Sequence, residues 1–217
     1  VSAASSLAPA FTEIAAEFER AHGGVPVDLN FGGSATLREQ IVNGAPVDVF
    51  ASANPETMAA VIAGLGLRVV PVTMATNTLT IAVPRGNRSG IQGLRDFADS
   101  ARFIGLCAVS VPCGAYAQDV LARAGIIPAV DTYEPDVRSL VAKIALGEID
   151  AGIVYRTDVL ASRDALVEIP IAPEFNIIAT YPIVALHDSL TAANAFVAFV
   201  RSSAGQDILR RHGFNTP

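Results

Sequence analysis

The sequence has no tryptophan, two cysteines, three histidines and a single lysine, Lys143. No apolar run approaches the roughly eighteen residues that a membrane-spanning helix needs, so none is expected. The remaining basic residues are arginines scattered along a chain of net charge −6, a pattern that argues against nucleic acid as a partner. His22, His187 and His212 stand far apart, without the spacing of metal ligands, and no nucleophile has an identifiable base. Neither an enzyme nor a resident cofactor is expected.

What is present is a chain of 217 residues, half of them hydrophobic, long enough for one large domain or two small ones around a real core. The opening Val1-Ser2-Ala3-Ala4 reads as the end of a buried strand, which suggests a chain trimmed at its start. Cys107 and Cys113 are six residues apart. A disulfide can close that distance if the segment turns, and both the bridged and the reduced state remain open.

Strand and helix signals alternate, which points to largely parallel sheets covered by helices. Residues 7–22 carry Leu7, Phe11, Ile14, Ala15 and Phe18 at helical spacing, and 36–43, 55–63, 94–98, 115–124 and 137–146 read as further helices. Strands are expected over 25–31, 47–51, 79–83, 103–108, 151–155 and 176–185, with a crossing between lobes at Pro84-Arg85-Gly86-Asn87. Two amphipathic helices, 192–200 and 205–212, close the chain and belong with the first lobe. No repeat and no low-complexity linker is visible, so the lobes should be interleaved and joined by strands.

Four places share one pattern in which a strand ends, small residues follow and a helix begins: Ser5-Ser6, Gly33-Ser34, Cys113-Gly114 and Asp136-Val137. Each presents backbone N–H groups that have no partner within the helix. Each helix start also carries about half a positive charge, so four of them can offset roughly two negative charges without a cationic side chain. Taken singly, each turn reads more readily as structural than as functional, since serine before a helix is a common N-cap. Cys113 at a helix start can also be read as an activated thiol, although no base accompanies it.

The blocks Ala4-Ser5-Ser6-Leu7, Phe31-Gly32-Gly33-Ser34-Ala35-Thr36-Leu37 and Gly44-Ala45-Pro46-Val47-Asp48-Val49-Phe50 resemble, in order and spacing, the first half of the molybdate-binding protein family (ModA). Val111-Pro112-Cys113-Gly114, Asp136-Val137-Arg138, Gly152-Ile153-Val154-Tyr155 and Tyr181-Pro182-Ile183 resemble its second half. The resemblance implies an α/β type II periplasmic-binding-protein clamp with lobes 1–79 plus 184–217 and 80–183, each a mostly parallel sheet flanked by helices, and hinge strands near 79–84 and 180–185. It also implies an oxyanion held by the hydroxyls of Ser6, Ser34 and Tyr155 and by second-lobe N–H groups at Cys113 and Val137. Molybdenum would enter only as molybdate at those residues, with tungstate as an equivalent ligand. Cysteine stands where the family usually has alanine, and the turn Gly33-Ser34-Ala35 has lost an auxiliary hydroxyl.

The role implied is that of a monomeric extracytoplasmic solute-binding protein, lipid-anchored or free. Its partners would be the membrane permease and ATPase of an ABC importer. The alternatives are a carrier of sulfate or another small oxyanion, and an effector-binding regulatory domain. The latter would need a helix-turn-helix segment, which the sequence does not contain.

Overall fold

In a computed structural model residues 1–187 and 191–217 are described. The chain divides into two compact units, one of Val1–Thr76 with Thr180–Pro217 and the other of Asn77–Ala179.

The first unit begins with β1 (Ser2–Ala4), followed by a single 3-10 turn, Ser5–Leu7, and α1 (Ala8–Ala21). Pro9 sits in the first turn of α1, where its missing N–H costs nothing. The apolar stripe Phe11, Ile14, Ala15 and Phe18 is buried. Next come β2 (Asn30–Gly32), α2 (Ser34–Val42), β3 (Val49–Ala51) and α3 (Pro55–Gly64). α3 is started by Asn54, whose side chain accepts the Thr57 N–H at 3.1 Å.

The chain leaves the first unit within β4 (Val72–Pro84) and returns within β9 (Ile178–Ala185). α7 (Thr191–Arg201) and α8 (Ser203–Arg211) follow. The strand order in this unit is β2-β1-β3-β9, parallel throughout except for β9 against β3. One apolar cluster, containing Leu37, Ile41, Phe50, Met58 and Val61, packs α2 and α3 on β3. A second joins α1 to α7, with Phe196 edge-on to Phe18 at 5.3 Å and to Phe11 at 6.1 Å.

The second unit contains the 3-10 segment Leu94–Ala98, β5 (Ile104–Cys107), α4 (Pro112–Arg123), β6 (Thr132–Glu134) and α5 (Val137–Leu146). β7 (Ala151–Tyr155), α6 (Arg156–Ala161) and β8 (Leu166–Pro170) complete it. Its strand order is β6-β5-β7-β4-β8, parallel on the β6-β5-β7 side and antiparallel where β4 meets β7 and β8. α5 lies close on this sheet because glycine faces it: a Cβ on Gly152 would come within 2.9 Å of Ile144.

Several elements differ from the sequence expectation. The strand expected over 25–31 is confined to Asn30–Gly32, and Pro26 removes a ladder donor from the part that stays irregular. β4 runs from Val72, well before the expected start at 79. Residues 84–87, expected as a crossing between lobes, lie inside the second unit. There Pro84 pairs with Leu166, and the Arg85 N–H donates to the Ala165 carbonyl at 2.7 Å. The boundary falls earlier, between Thr76 and Asn77.

Candidate functional site

In the first unit, strand register places the two serine turns side by side. Ala4 is paired with Gly32, so the turns that begin at Ser5 and Gly33 leave the sheet at neighbouring points. Ala3 is paired with Ala51, which brings Ser52 and Ala53 to the same end. Ser6 lies in the 3-10 turn and Ser34 is the first residue of α2, and both are buried.

Neither serine spends its oxygen capping its own helix. Gly33 occupies the N-cap of α2, and the Ser34 Oγ accepts the Ala53 N–H at 3.1 Å. A hydroxyl that already accepts from a backbone N–H still has its own proton to give. The Ser6 Oγ lies 3.1 Å from the Tyr181 hydroxyl. The first-turn N–H groups of α2 add backbone donors at the same end of the sheet.

In the second unit, Gly105 is paired with both Thr132 and Gly152, so β5, β6 and β7 end on one side. The turns after those strands carry Cys113, Val137 and Tyr155. Cys113 is the second residue of α4, Val137 the first of α5 and Tyr155 the last of β7, and all three are buried. A disulfide joins Cys107 to Cys113, with their Cα atoms 5.8 Å apart. It ties the end of β5 to the first turn of α4, and Cys113 is therefore not a free thiol. Gly114 is required beside it, because a Cβ there would overlap the carbonyl oxygens of Ala108 and Cys107.

Asp136 is committed to its own helix: its Oδ1 accepts the Ser139 N–H at 3.0 Å. Asp158, three residues after Tyr155, accepts the Tyr155 N–H at 3.1 Å and so fixes the backbone at the start of α6. Burial pushes the Asp158 carboxyl up to about 7; the Tyr155 N–H opposes this shift, and the nearby Asp136 adds to it.

The structure thus gathers Ser6 with Ser34 in one unit and Cys113, Val137 and Tyr155 in the other. Three contributors escaped the sequence reading. The Ala53 N–H and Tyr181 depend on register, which no local pattern reveals. Asp158 had a signal, the three-residue spacing of a capping box after Tyr155. Among the described residues, no group of three or more His, Cys, Asp or Glu side chains is placed to hold a metal ion. Nor, among them, is any helix long and apolar enough to cross a membrane.

Residues 1–215 match the family described as bacterial extracellular solute-binding protein. The molybdate-binding protein ModA of Mycobacterium tuberculosis is 34% identical over 219 residues, which is 100% of this chain and 84% of that protein. The periplasmic molybdate-binding protein of Azotobacter vinelandii superposes with a TM-score of 0.78 at 20% identity, covering 100% of this chain and 98% of the other. The sulfate-binding protein SubI of Mycobacterium tuberculosis gives 0.84 at 15% identity, over 99% of this chain and 85% of the other. At such identities these two structures speak for the fold alone.

Proposed function

This chain belongs to the bacterial extracellular solute-binding proteins, and from that premise we propose that it captures molybdate or tungstate outside the cytoplasm and delivers the anion to an ABC importer. The observation that carries the reading is the pairing of Ser6 and Ser34 at one end of a sheet, with the Ser34 oxygen already occupied by the Ala53 N–H. That arrangement suits a ligand that only accepts hydrogen bonds. Molybdate, tungstate and sulfate are fully deprotonated near neutral pH, whereas hydrogen phosphate brings a proton that needs an acceptor. An O–H group facing only donors loses a hydrogen bond and is rejected. Full-length relatedness to a molybdate-binding protein supports molybdate over sulfate.

In this mechanism the anion accepts hydrogen bonds from the Ser6, Ser34 and Tyr155 hydroxyls and from backbone N–H groups at Cys113 and Val137. Ligand binding shifts the protein towards the state that the importer's permease and ATPase recognise. The protein acts as a monomer without a cofactor, works in the periplasm or anchored at the cell envelope, and leaves the anion chemically unchanged. Calorimetry on anion-stripped protein tests the reading. Molybdate and tungstate should bind alike and hydrogen phosphate far more weakly. Sulfate binding as tightly as molybdate would remove the molybdate assignment and leave a general oxyanion carrier.

A further inference from the structure

Tyr181 lies in β9 and is fully buried, its ring edge-on to Phe214 at 5.4 Å. Its hydroxyl and the Ser6 Oγ are 3.1 Å apart and share one hydrogen bond. Which oxygen gives the proton decides what Ser6 has left for a ligand. A phenol is a stronger acid than an alkyl alcohol, so the favoured arrangement has Tyr181 donating and Ser6 accepting. The reverse arrangement would spend the Ser6 proton inside the protein and leave only oxygen lone pairs for an anion, which they repel. Ser34 is held in the same condition by a donor that has no alternative, the Ala53 N–H at 3.1 Å.

We infer that Tyr181 is a positioning and selectivity residue: its phenol donates to the Ser6 oxygen, which keeps the Ser6 proton free for an oxyanion. The inference rests on the oxyanion reading above and adds the group that enforces it. Tyr181 acts through Ser6. A hydroxyl oxygen has two lone pairs, so the contact also takes up one of the two acceptor positions that a protonated oxyanion could use, and it thereby disfavours that class of anion.

The test is calorimetry with molybdate and with hydrogen phosphate on the wild type, Tyr181→Phe, Ser6→Ala and the double variant, with thermal unfolding followed in parallel. Tyr181→Phe keeps the ring against Phe214 and should weaken molybdate binding by up to about tenfold, the scale of the neutral hydrogen bond that orients Ser6. In the Ser6→Ala background it should cause no further loss. The affinity ratio of molybdate to hydrogen phosphate should narrow in Tyr181→Phe, an effect that loosened packing alone would not produce. Equal losses in both backgrounds, or an unchanged ratio, would overturn the inference. Should Tyr181→Phe fail to fold, a monofluorinated tyrosine at 181 has nearly the same shape and is the stronger donor. Molybdate should then bind more tightly, and unchanged or weaker binding overturns the inference. A wild-type protein that binds neither anion sinks the oxyanion reading itself, which is a separate outcome.

Discussion

At Ser34 a hydrogen bond decides what the side chain has left to offer, and at Asp158 burial does. Because Ala53 donates to the Ser34 oxygen, removing that hydroxyl takes away a proposed ligand donor and also leaves a buried N–H unsatisfied. Ser34→Ala should weaken molybdate binding by about 1–3 kcal/mol, the range for hydrogen bonds to charged groups. Arg156, largely exposed and 3.5 Å from Glu168, provides the control, and its substitution by alanine should leave affinity unchanged in the same titration.

Asp158 carries a pH dependence whose direction follows from burial. Its folded pKa is about 7 against a usual 3.8, so between those values the folded protein holds a proton that the unfolded chain has released. Stability should therefore fall as pH rises from about 4 to about 7 and level off above, by at most roughly 4 kcal/mol. Urea unfolding of the wild type and Asp158→Asn across that range measures it. The variant should lose this part of the slope, and an identical slope in both proteins would show that Asp158 ionises normally.

At the scale of elements, α4 and α5 are anchored by unlike means. The disulfide to Cys107 fixes α4, while α5 is held by its Asp136 cap and by Lys143, whose Nζ lies 2.6 Å from the Glu134 carboxylate. Glu134 is buried on β6 and Lys143 is half exposed, so Lys143→Ala leaves a carboxylate with less compensation than it needs. A loss of roughly 1–3 kcal/mol in denaturant unfolding is expected, below the full cost of breaking a buried pair because water reaches the lysine side. Restored stability in Lys143→Arg would show that charge, and not chain length, is what Glu134 requires.

The same elements mark what could be read from sequence. α1, α5 and β7 were legible because apolar spacing, a cap or an unbroken apolar run announces them. β6 was not, since Thr132-Tyr133-Glu134 buries only Glu134 and has no hydrophobic alternation. α6 spans six residues, too few for a helical period, and β8 ends in Pro170, which reads as a break although an edge strand tolerates it. Of the candidate site, the helix starts could be read locally. The contact between Ser6 and Tyr181 could not, because these residues are 175 positions apart in the sequence and meet only in the folded chain.

For the molecule as a whole, the proposed ligand and the protein carry charge of the same sign. A dianion approaching a chain of net charge −6 is repelled at long range and attracted only at contact distance by hydroxyls and helix starts. Salt acts on these two parts unequally. Raising ionic strength from about 0.01 to 0.15 M shortens the screening length from about 30 to 8 Å, which removes repulsion from distant carboxylates but barely touches hydrogen bonds made in contact. A site built on lysine or arginine would behave in the opposite way, losing attraction as salt rises. Titration of molybdate in sodium chloride at those two ionic strengths should therefore give affinity that holds or rises modestly, with the change in the association rate. A fall of tenfold would mean that a cationic side chain supplies the binding energy, and the account based on neutral donors would have to be abandoned.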